Sequence, residues 1–169
     1  MKIRPYYFYK DIDETTVSEA IIELDNMDLG DNDILYFYLY TDGGVNGAQV
    51  VLSHYLENCN AKEVHIYASG GIHSAGFDLF FDTKVHKKNF IGPTYAVLHQ
   101  SSFEANTQQL SDKESPVLLE AKEVEKRNKE HIAKLKKMGL PKEYIKRIKQ
   151  GRDVHVPFEV LKKLLKDNQ

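Results

Sequence analysis

The chain has 169 residues, about the length of one domain and enough to bury a sizeable core. Its formal net charge is -2, so the overall charge balance predicts neither a nucleic-acid partner nor an anionic membrane surface. The single cysteine, Cys59, excludes an internal disulfide and a cysteine-based zinc cluster. No apolar run reaches the roughly 20 residues of a membrane span, and no signal-peptide pattern is seen, so we expect a cytoplasmic protein.

The first part of the sequence alternates between strand and helix patterns. Residues 6–9, YYFY, predict a short strand. The continuous apolar and aromatic run Ile34–Tyr40 predicts a strand that is covered on both faces, as in a parallel sheet. A turn containing Gly43 and Gly44 follows, and apolar residues at helical spacing over 46–58 predict a helix.

The same unit then recurs. Val64–Ala68 predicts a second strand, Ser69–Gly76 a glycine-rich turn, and Ser74–Thr83 a second helix. Tyr95–Gln100 predicts a further short strand. Strands that alternate with helices indicate an α/β protein with a parallel sheet and right-handed crossovers.

The C-terminal part is predicted to be helical. Apolar residues recur every three or four positions over about 112–138, which predicts one long helix with a narrow apolar seam, ended by Gly139. A helix over 141–150 closes at Gly151, and residues 157–167 predict a last short helix. We expect a single domain over residues 1–169.

Five residues stand where an α/β sheet places its sites, or are free to reach that edge. Ser74 follows the second predicted strand, His99 ends the predicted strand Tyr95–Gln100, and Asp153 lies in a loop between two helices. A serine needs a base to take its proton, and the base needs a group that fixes its tautomer. The backbone N–H groups of Gly44 and Ala75 are candidates for an oxyanion hole. Each signal alone is weak, so the combination carries the hypothesis.

That combination resembles the ClpP family of serine peptidases, the proteolytic subunits of Clp proteases. The segments are ILYFYLYTDGGVNGAQVVLSHYL, VHIYASGGIHSAGFDLFF, YAVLHQ and GRDVHVPFEVLKKLL, and the resemblance runs from about Tyr7 to Leu165. It implies the ClpP/crotonase-like spiral of ββα units, with a long helix in the C-terminal half.

The resemblance also implies a function. Ser74 is then the nucleophile, His99 the general base and Asp153 the orienting acid, and the amides of Gly44 and Ala75 form the oxyanion hole. The expected activity is that of a serine endopeptidase that hydrolyses peptide bonds through an acyl-enzyme, with no metal or organic cofactor. We expect Gly44→Ala to fold and to lose turnover, because a methyl group would intrude where the substrate backbone approaches.

Three features depart from the family pattern. Asp42 stands where proline is usual and brings a negative charge near the oxyanion site, unless it faces away. His73 stands where a small residue is usual; it either crowds the site, offers a competing proton acceptor or points into the sheet layer. The segment 101–115 replaces a glycine-rich stretch that, in the family, lines bound peptide and helps to join two rings.

These departures leave two rival functions open. The first is a catalytically silent ClpP-like assembly subunit, and the second is a crotonase-type acyl-CoA enzyme on the same spiral. The partners implied by the resemblance are a peptide or unfolded-protein substrate and copies of the chain in a homo-oligomeric ring. A Clp-type ATPase is a further partner in the family, but we expect activity without one, because only Met1–Pro5 precede the first predicted strand.

Overall fold

The computed structural model describes residues 1–101 and 116–168. They form two compact units: the first comprises Met1–Leu98 and His155–Asp167, and the second comprises His99–Val154 and Asn168. The predicted single domain over 1–169 stays a prediction. The described strands are Lys2–Tyr9 (β1), Asp33–Thr41 (β2), Glu63–Ile72 (β3), Lys87–Leu98 (β4) and Val154–Val156 (β5). The described helices are Glu14–Asp25 (α1), Asn46–Asn58 (α2), Ala75–Asp82 (α3), Pro116–Lys137 (α4), Lys142–Lys149 (α5) and Phe158–Asp167 (α6).

The described strands form one sheet in the order β1-β2-β3-β4-β5. The pairs β1–β2, β2–β3 and β3–β4 are parallel, so the predicted α/β class with a parallel sheet is confirmed. Several boundaries differ from the prediction. β1 begins at Lys2 rather than Tyr6. β4 begins at Lys87 rather than Tyr95, because its first residues are Lys-Lys-Asn and its first half is exposed or half-exposed, so a search for apolar runs passes over it. The short strand β5 was not predicted.

The glycine-rich turn before Ser74 is shorter than predicted. β3 continues through Ile72 instead of ending at Ala68, and its pairing register slips on both sides near Gly70. Gly70 has φ +72°, a conformation that glycine adopts without steric cost. The turn proper is therefore only the two residues His73 and Ser74, and this tightness determines the geometry of the site.

The sheet buries one face fully and the other only in part, which corrects the prediction that β2 is covered on both faces. Residues of β2 alternate between buried and half-exposed, and Phe37 and Leu39 point to the buried side. The opposite side carries six tyrosines in stacked or edge-to-face ring contacts, which we call the tyrosine face: Tyr7, Tyr9, Tyr36, Tyr38, Tyr40 and Tyr67. Tyr7 and Tyr9 are 56% and 57% exposed, so this face is open in the isolated chain.

The second unit contains α4 and α5, which contact each other. α4 runs over Pro116–Lys137 within the predicted helix 112–138, and positions 112–115 lie outside the described residues. Its buried residues are Val124, Ile132 and Leu135, the narrow apolar seam that the sequence predicts. Gly139 and Gly151 follow α4 and α5 with φ values of +90° and +71°, as expected for residues that end helices. Among the helices of residues 1–101 and 116–168, none combines the length and apolarity needed to cross a bilayer.

Helix α3 packs so closely on β2 that one glycine has no room for a side chain. A Cβ atom on Gly76 would lie 2.3 Å from Cγ2 of Thr41, which is 1% exposed. Thr41 cannot easily turn away, because its Oγ1 accepts a hydrogen bond from the Gly43 N–H at 3.1 Å. The close contact between α3 and β2 therefore depends on glycine at position 76 opposite the Thr41 side chain.

We predict that Gly76→Ala lowers the free energy of unfolding by about 1–3 kcal/mol through overpacking. Thr41→Ser removes the clashing methyl group and keeps the hydroxyl, so the double variant should recover most of the loss. Urea unfolding of both single variants and the double variant measures the coupling. Strictly additive effects would show that the two residues do not meet.

Candidate functional site

Ser74 occupies a strained backbone conformation between β3 and α3. Its φ and ψ are 49° and −116°, values that residues with a side chain rarely adopt. Its N–H donates to the Val97 carbonyl at 2.9 Å, and its carbonyl accepts from the Phe77 N–H at 3.0 Å. A sharp strand-to-helix turn exposes the nucleophilic serine in α/β-hydrolases. Ser74 is half-buried, and it follows the carboxyl end of β3.

The turn is held by contacts that leave no space for a side chain on Gly43. A Cβ atom there would lie 2.6 Å from the His73 carbonyl oxygen and 2.9 Å from Cβ of Ser74. The His73 N–H also donates to the Thr41 carbonyl at 3.0 Å. The loop after β2 and the turn after β3 are therefore in direct backbone contact, which brings the Gly43-Gly44 pair beside Ser74.

The two predicted oxyanion donors have free amides. In residues 1–101 and 116–168, neither the Gly44 N–H nor the Ala75 N–H has a hydrogen-bond acceptor. Gly44 is exposed, whereas Ala75 is the buried first residue of α3, where the helix leaves its initial N–H groups unpaired. An oxyanion hole needs N–H groups without another acceptor, and these two amides meet that condition within the described residues.

The expectation that Gly44→Ala folds normally is wrong. Gly44 has φ +141°, and a Cβ atom would lie 2.1 Å from the backbone oxygen of Ile12. Ile12 cannot yield, because its N–H donates to the Gly43 carbonyl and its carbonyl accepts from the Val45 N–H, both at 2.7 Å. The glycine is required by the backbone itself, so this substitution does not isolate the role of the amide.

His99 lies in the second unit, immediately after β4, and is exposed. Its Nδ1 lies 3.0 Å from the Gln100 carbonyl oxygen. A carbonyl only accepts hydrogen bonds, so Nδ1 carries the proton and the Nε2 lone pair is available to accept one. This is the tautomer that a general base for serine needs.

Asp153 also lies in the second unit, but no hydrogen bond or ion pair joins it to His99 within the described residues. Its side chain is exposed just before β5. The position on Nδ1 of His99 that the resemblance assigns to Asp153 is occupied here by the Gln100 carbonyl. Ser74 belongs to the first unit, so the three predicted triad residues are divided between the two units.

His73 and Asp42, the two departures from the family pattern, contact each other. Nε2 of His73 is 3.6 Å from Oδ1 of Asp42, so the carboxylate faces the histidine. Nδ1 of His73 accepts a hydrogen bond from the Val97 N–H at 2.9 Å and is not available as a competing proton acceptor. The sequence singled out both residues, but it contained no sign of the bond to Val97, because the partner is a backbone group.

In the part of the chain that the structure describes, no group of three or more His, Cys, Asp or Glu side chains is arranged to hold an ion.

We predict that Ser74→Gly is more stable than Ser74→Ala by about 1 kcal/mol, because glycine adopts the positive φ without strain. Both variants lack the hydroxyl, so their difference reports the backbone alone. Thermal or urea unfolding of the pair provides the measurement. Equal stability, or a more stable alanine variant, would show that the turn is not strained.

The fold is similar to that of a solved ClpP1 structure. A point mutant of ClpP1 from Listeria monocytogenes superposes with a TM-score of 0.66 at 19% sequence identity, over 95% of this chain and 86% of that one. No protein-family profile matches the sequence. The search of curated proteins found no match either. The predicted ClpP-like fold is therefore confirmed, and at this identity the similarity establishes the fold alone.

Proposed function

We propose that this protein is a ClpP-like serine endopeptidase with Ser74 as its nucleophile. The observation that carries the proposal is the strained turn at Ser74, flanked by the free amides of Gly44 and Ala75. A positive φ on a serine costs stability and persists at sites where strain serves a function. Two free donors beside it provide the electrostatic stabilisation on which acyl transfer depends.

The proposed reaction has two halves. Ser74 Oγ attacks the peptide carbonyl carbon while its proton moves to Nε2 of His99, and the carbonyl oxygen takes up the negative charge between the Gly44 and Ala75 amides. Collapse breaks the C–N bond, and His99 returns the proton to the leaving amine. Water then attacks the acyl-enzyme, gives a proton to His99, and releases the acid as Ser74 recovers its proton.

The group that orients His99 is open between two candidates. The resemblance assigns this role to Asp153, whereas the hydrogen bond from Nδ1 to the Gln100 carbonyl supports a backbone group in its place. A backbone carbonyl fixes the tautomer but adds no full negative charge to stabilise the imidazolium. Asp153→Asn should therefore slow the reaction less than His99→Ala if the carbonyl is the orienting group.

We predict that a fluorophosphonate attaches to Ser74 in the wild-type protein. His99→Ala should reduce the labelling rate by on the order of 10³-fold or more, because the members of a triad act as a unit. The measurement is the intact mass over time, followed by peptide mapping of the adduct. Ser74→Ala is the background control, and His54→Ala, at an exposed position on α2, is the matched histidine control.

Two outcomes would contradict the proposal. Labelling that persists in Ser74→Ala would place the nucleophile elsewhere. An absence of labelling in the wild-type protein, together with formation of a stable oligomer, would favour the catalytically silent assembly subunit.

Assembly into a homo-oligomeric ring is part of the proposal, and the open tyrosine face supports a contact with another copy of the chain. Parallel sheets are normally covered on both faces, yet Tyr7, Tyr9 and Tyr40 are exposed here. The substrate class that accompanies a ring is a peptide or an unfolded protein. A Clp-type ATPase is not required for short peptides.

We predict that Tyr9→Lys lowers the oligomer mass measured by light scattering at micromolar concentration. Desolvating a lysine at a contact between copies is costly. Ile22→Lys is the matched control, because Ile22 is 60% exposed on α1, away from the tyrosine face. A monomeric wild-type protein would contradict the ring, and equal effects of the two variants would exclude this face as the contact.

A further inference from the structure

His73, directly before the proposed nucleophile, has no role in the reaction described above, yet it is held from several directions. Its Nδ1 accepts the Val97 N–H of β4 at 2.9 Å. Its Nε2 lies 3.6 Å from Oδ1 of Asp42, in the loop after β2. Its ring packs on Tyr95 of β4, with 5.1 Å between the ring centroids. A freely placed surface histidine would not make three such contacts.

The hydrogen bond to Val97 determines the protonation state of the ring. Nδ1 must present a lone pair to a backbone N–H, so the single proton of the neutral imidazole lies on Nε2, which faces Asp42. The His73 side chain is only 13% exposed. Burial lowers its pKa; nearby Asp42 acts in the opposite direction, and His155 of β5 lowers the pKa further.

Both main-chain groups of Val97 bind this turn. The Val97 carbonyl accepts from the Ser74 N–H at 2.9 Å, and the Val97 N–H donates to Nδ1 of His73 at 2.9 Å. We call this pair of bonds the Val97 link. It joins two consecutive residues of the turn to one residue of β4, two positions before His99 in the chain. One of the two bonds exists only because residue 73 has an acceptor at this place.

The glycine at position 71 maintains the space for this ring. A Cβ atom on Gly71 would lie 2.7 Å from Nε2 of His73 and 3.2 Å from Cε1. Gly71 is buried in β3, so the imidazole lies against backbone rather than in open solvent. The side chain is built into the turn, and its removal leaves the Val97 N–H without its acceptor.

We infer that His73 is a positioning residue whose neutral imidazole, through the Val97 link, fixes Ser74 relative to the end of β4. Its catalytic consequence rests on the proposed function, while the link itself does not. A protonated Nδ1 is a hydrogen-bond donor and cannot accept from the Val97 N–H. Protonation at Nδ1 would therefore break one of the two bonds of the Val97 link. The groups that face the ring are Asp42, Tyr95 and His155, and only Asp42 favours the protonated form.

The sign of the pH effect follows from the lowered pKa. The folded protein binds this proton less readily than the unfolded chain, so the contribution of the link to stability is complete above the ordinary pKa of histidine. It is lost progressively as the pH falls below that value. Acid pH should therefore weaken the contribution of the Val97 link to stability.

The test uses two substitutions that differ in whether they keep an acceptor for Val97. In His73→Asn, Oδ1 replaces Nδ1 as that acceptor, and the residue does not titrate. His73→Leu retains comparable bulk and removes the acceptor. His54→Asn is the matched control, since His54 is exposed on α2. Each variant is compared by hydrogen–deuterium exchange of peptides covering residues 92–98, read by mass spectrometry, and by the rate of fluorophosphonate labelling.

We expect His73→Leu to lose the protection of about one amide in residues 92–98 and to label on the order of ten- to a hundredfold more slowly. His73→Asn and His54→Asn should match the wild type in both measurements. Below neutral pH, the wild-type labelling rate should fall more steeply than that of His73→Asn, because only the wild type has an imidazole at position 73 that takes up a proton.

The outcomes separate the inference from the proposed function. Unchanged exchange in His73→Leu would overturn the link, whether or not the protein labels. Altered exchange with an unchanged labelling rate would overturn the positioning role and leave Ser74 as the nucleophile. A wild-type protein that does not label would overturn the proposed function. The exchange comparison would then still test whether the Val97 link exists. An equally steep fall of the labelling rate with pH in His73→Asn would exclude protonation of His73 as its cause.

Discussion

The backbone of Ser74 is the constraint on which the rest of the site depends. A non-glycine residue at φ 49° persists only where its surroundings hold it there, and here the surroundings are backbone. The N–H of Ser74 is tied to Val97, and its turn lies against Gly43 with no space for a Cβ atom. Val97 lies near the carboxyl end of β4, and Gly43 follows the carboxyl end of β2. Two strand ends of the parallel sheet therefore contact the turn at Ser74.

The approach of these strand ends also determines which backbone N–H groups belong to the segments beside Ser74. The same close approach that requires glycine at position 43 brings the Gly43-Gly44 pair to the turn at Ser74, and the start of α3 adds the Ala75 amide. Neither amide has an acceptor within residues 1–101 and 116–168. A strained serine and two free donors cost folding free energy, and the acyl transfer that we propose would use both. The participation of His99 is part of that proposal, and its Nδ1 contact with the Gln100 carbonyl is compatible with it.

The sequence predicted the class of fold and the order of the elements, because long apolar runs and helical spacing are local signals. It misplaced the start of β4, which is polar and half-exposed, and it missed β5, which has three residues. It singled out Ser74, Gly44 and Ala75 from their position after strands, and the structure brings the segments that carry them together, whereas their roles stay predictions. It did not reveal that Gly44 must be glycine because of Ile12, or that His73 binds Val97. In both contacts the partner is a backbone atom distant in the sequence. Every residue has such atoms, so the residue type of the partner does not predict the contact. The pairing of Ser74 with His99 and Asp153 stays a prediction.

A crystal structure of the protein after reaction with a peptidyl phosphonate is the most direct test of the central claim. The account predicts a covalent bond from phosphorus to Ser74 Oγ, with the anionic oxygen about 3 Å from both the Gly44 and Ala75 nitrogens. Nε2 of His99 should lie within hydrogen-bond reach of an oxygen on phosphorus. An adduct whose oxygen points away from both amides, or an unmodified Ser74 in protein that has taken up the reagent elsewhere, would contradict the account.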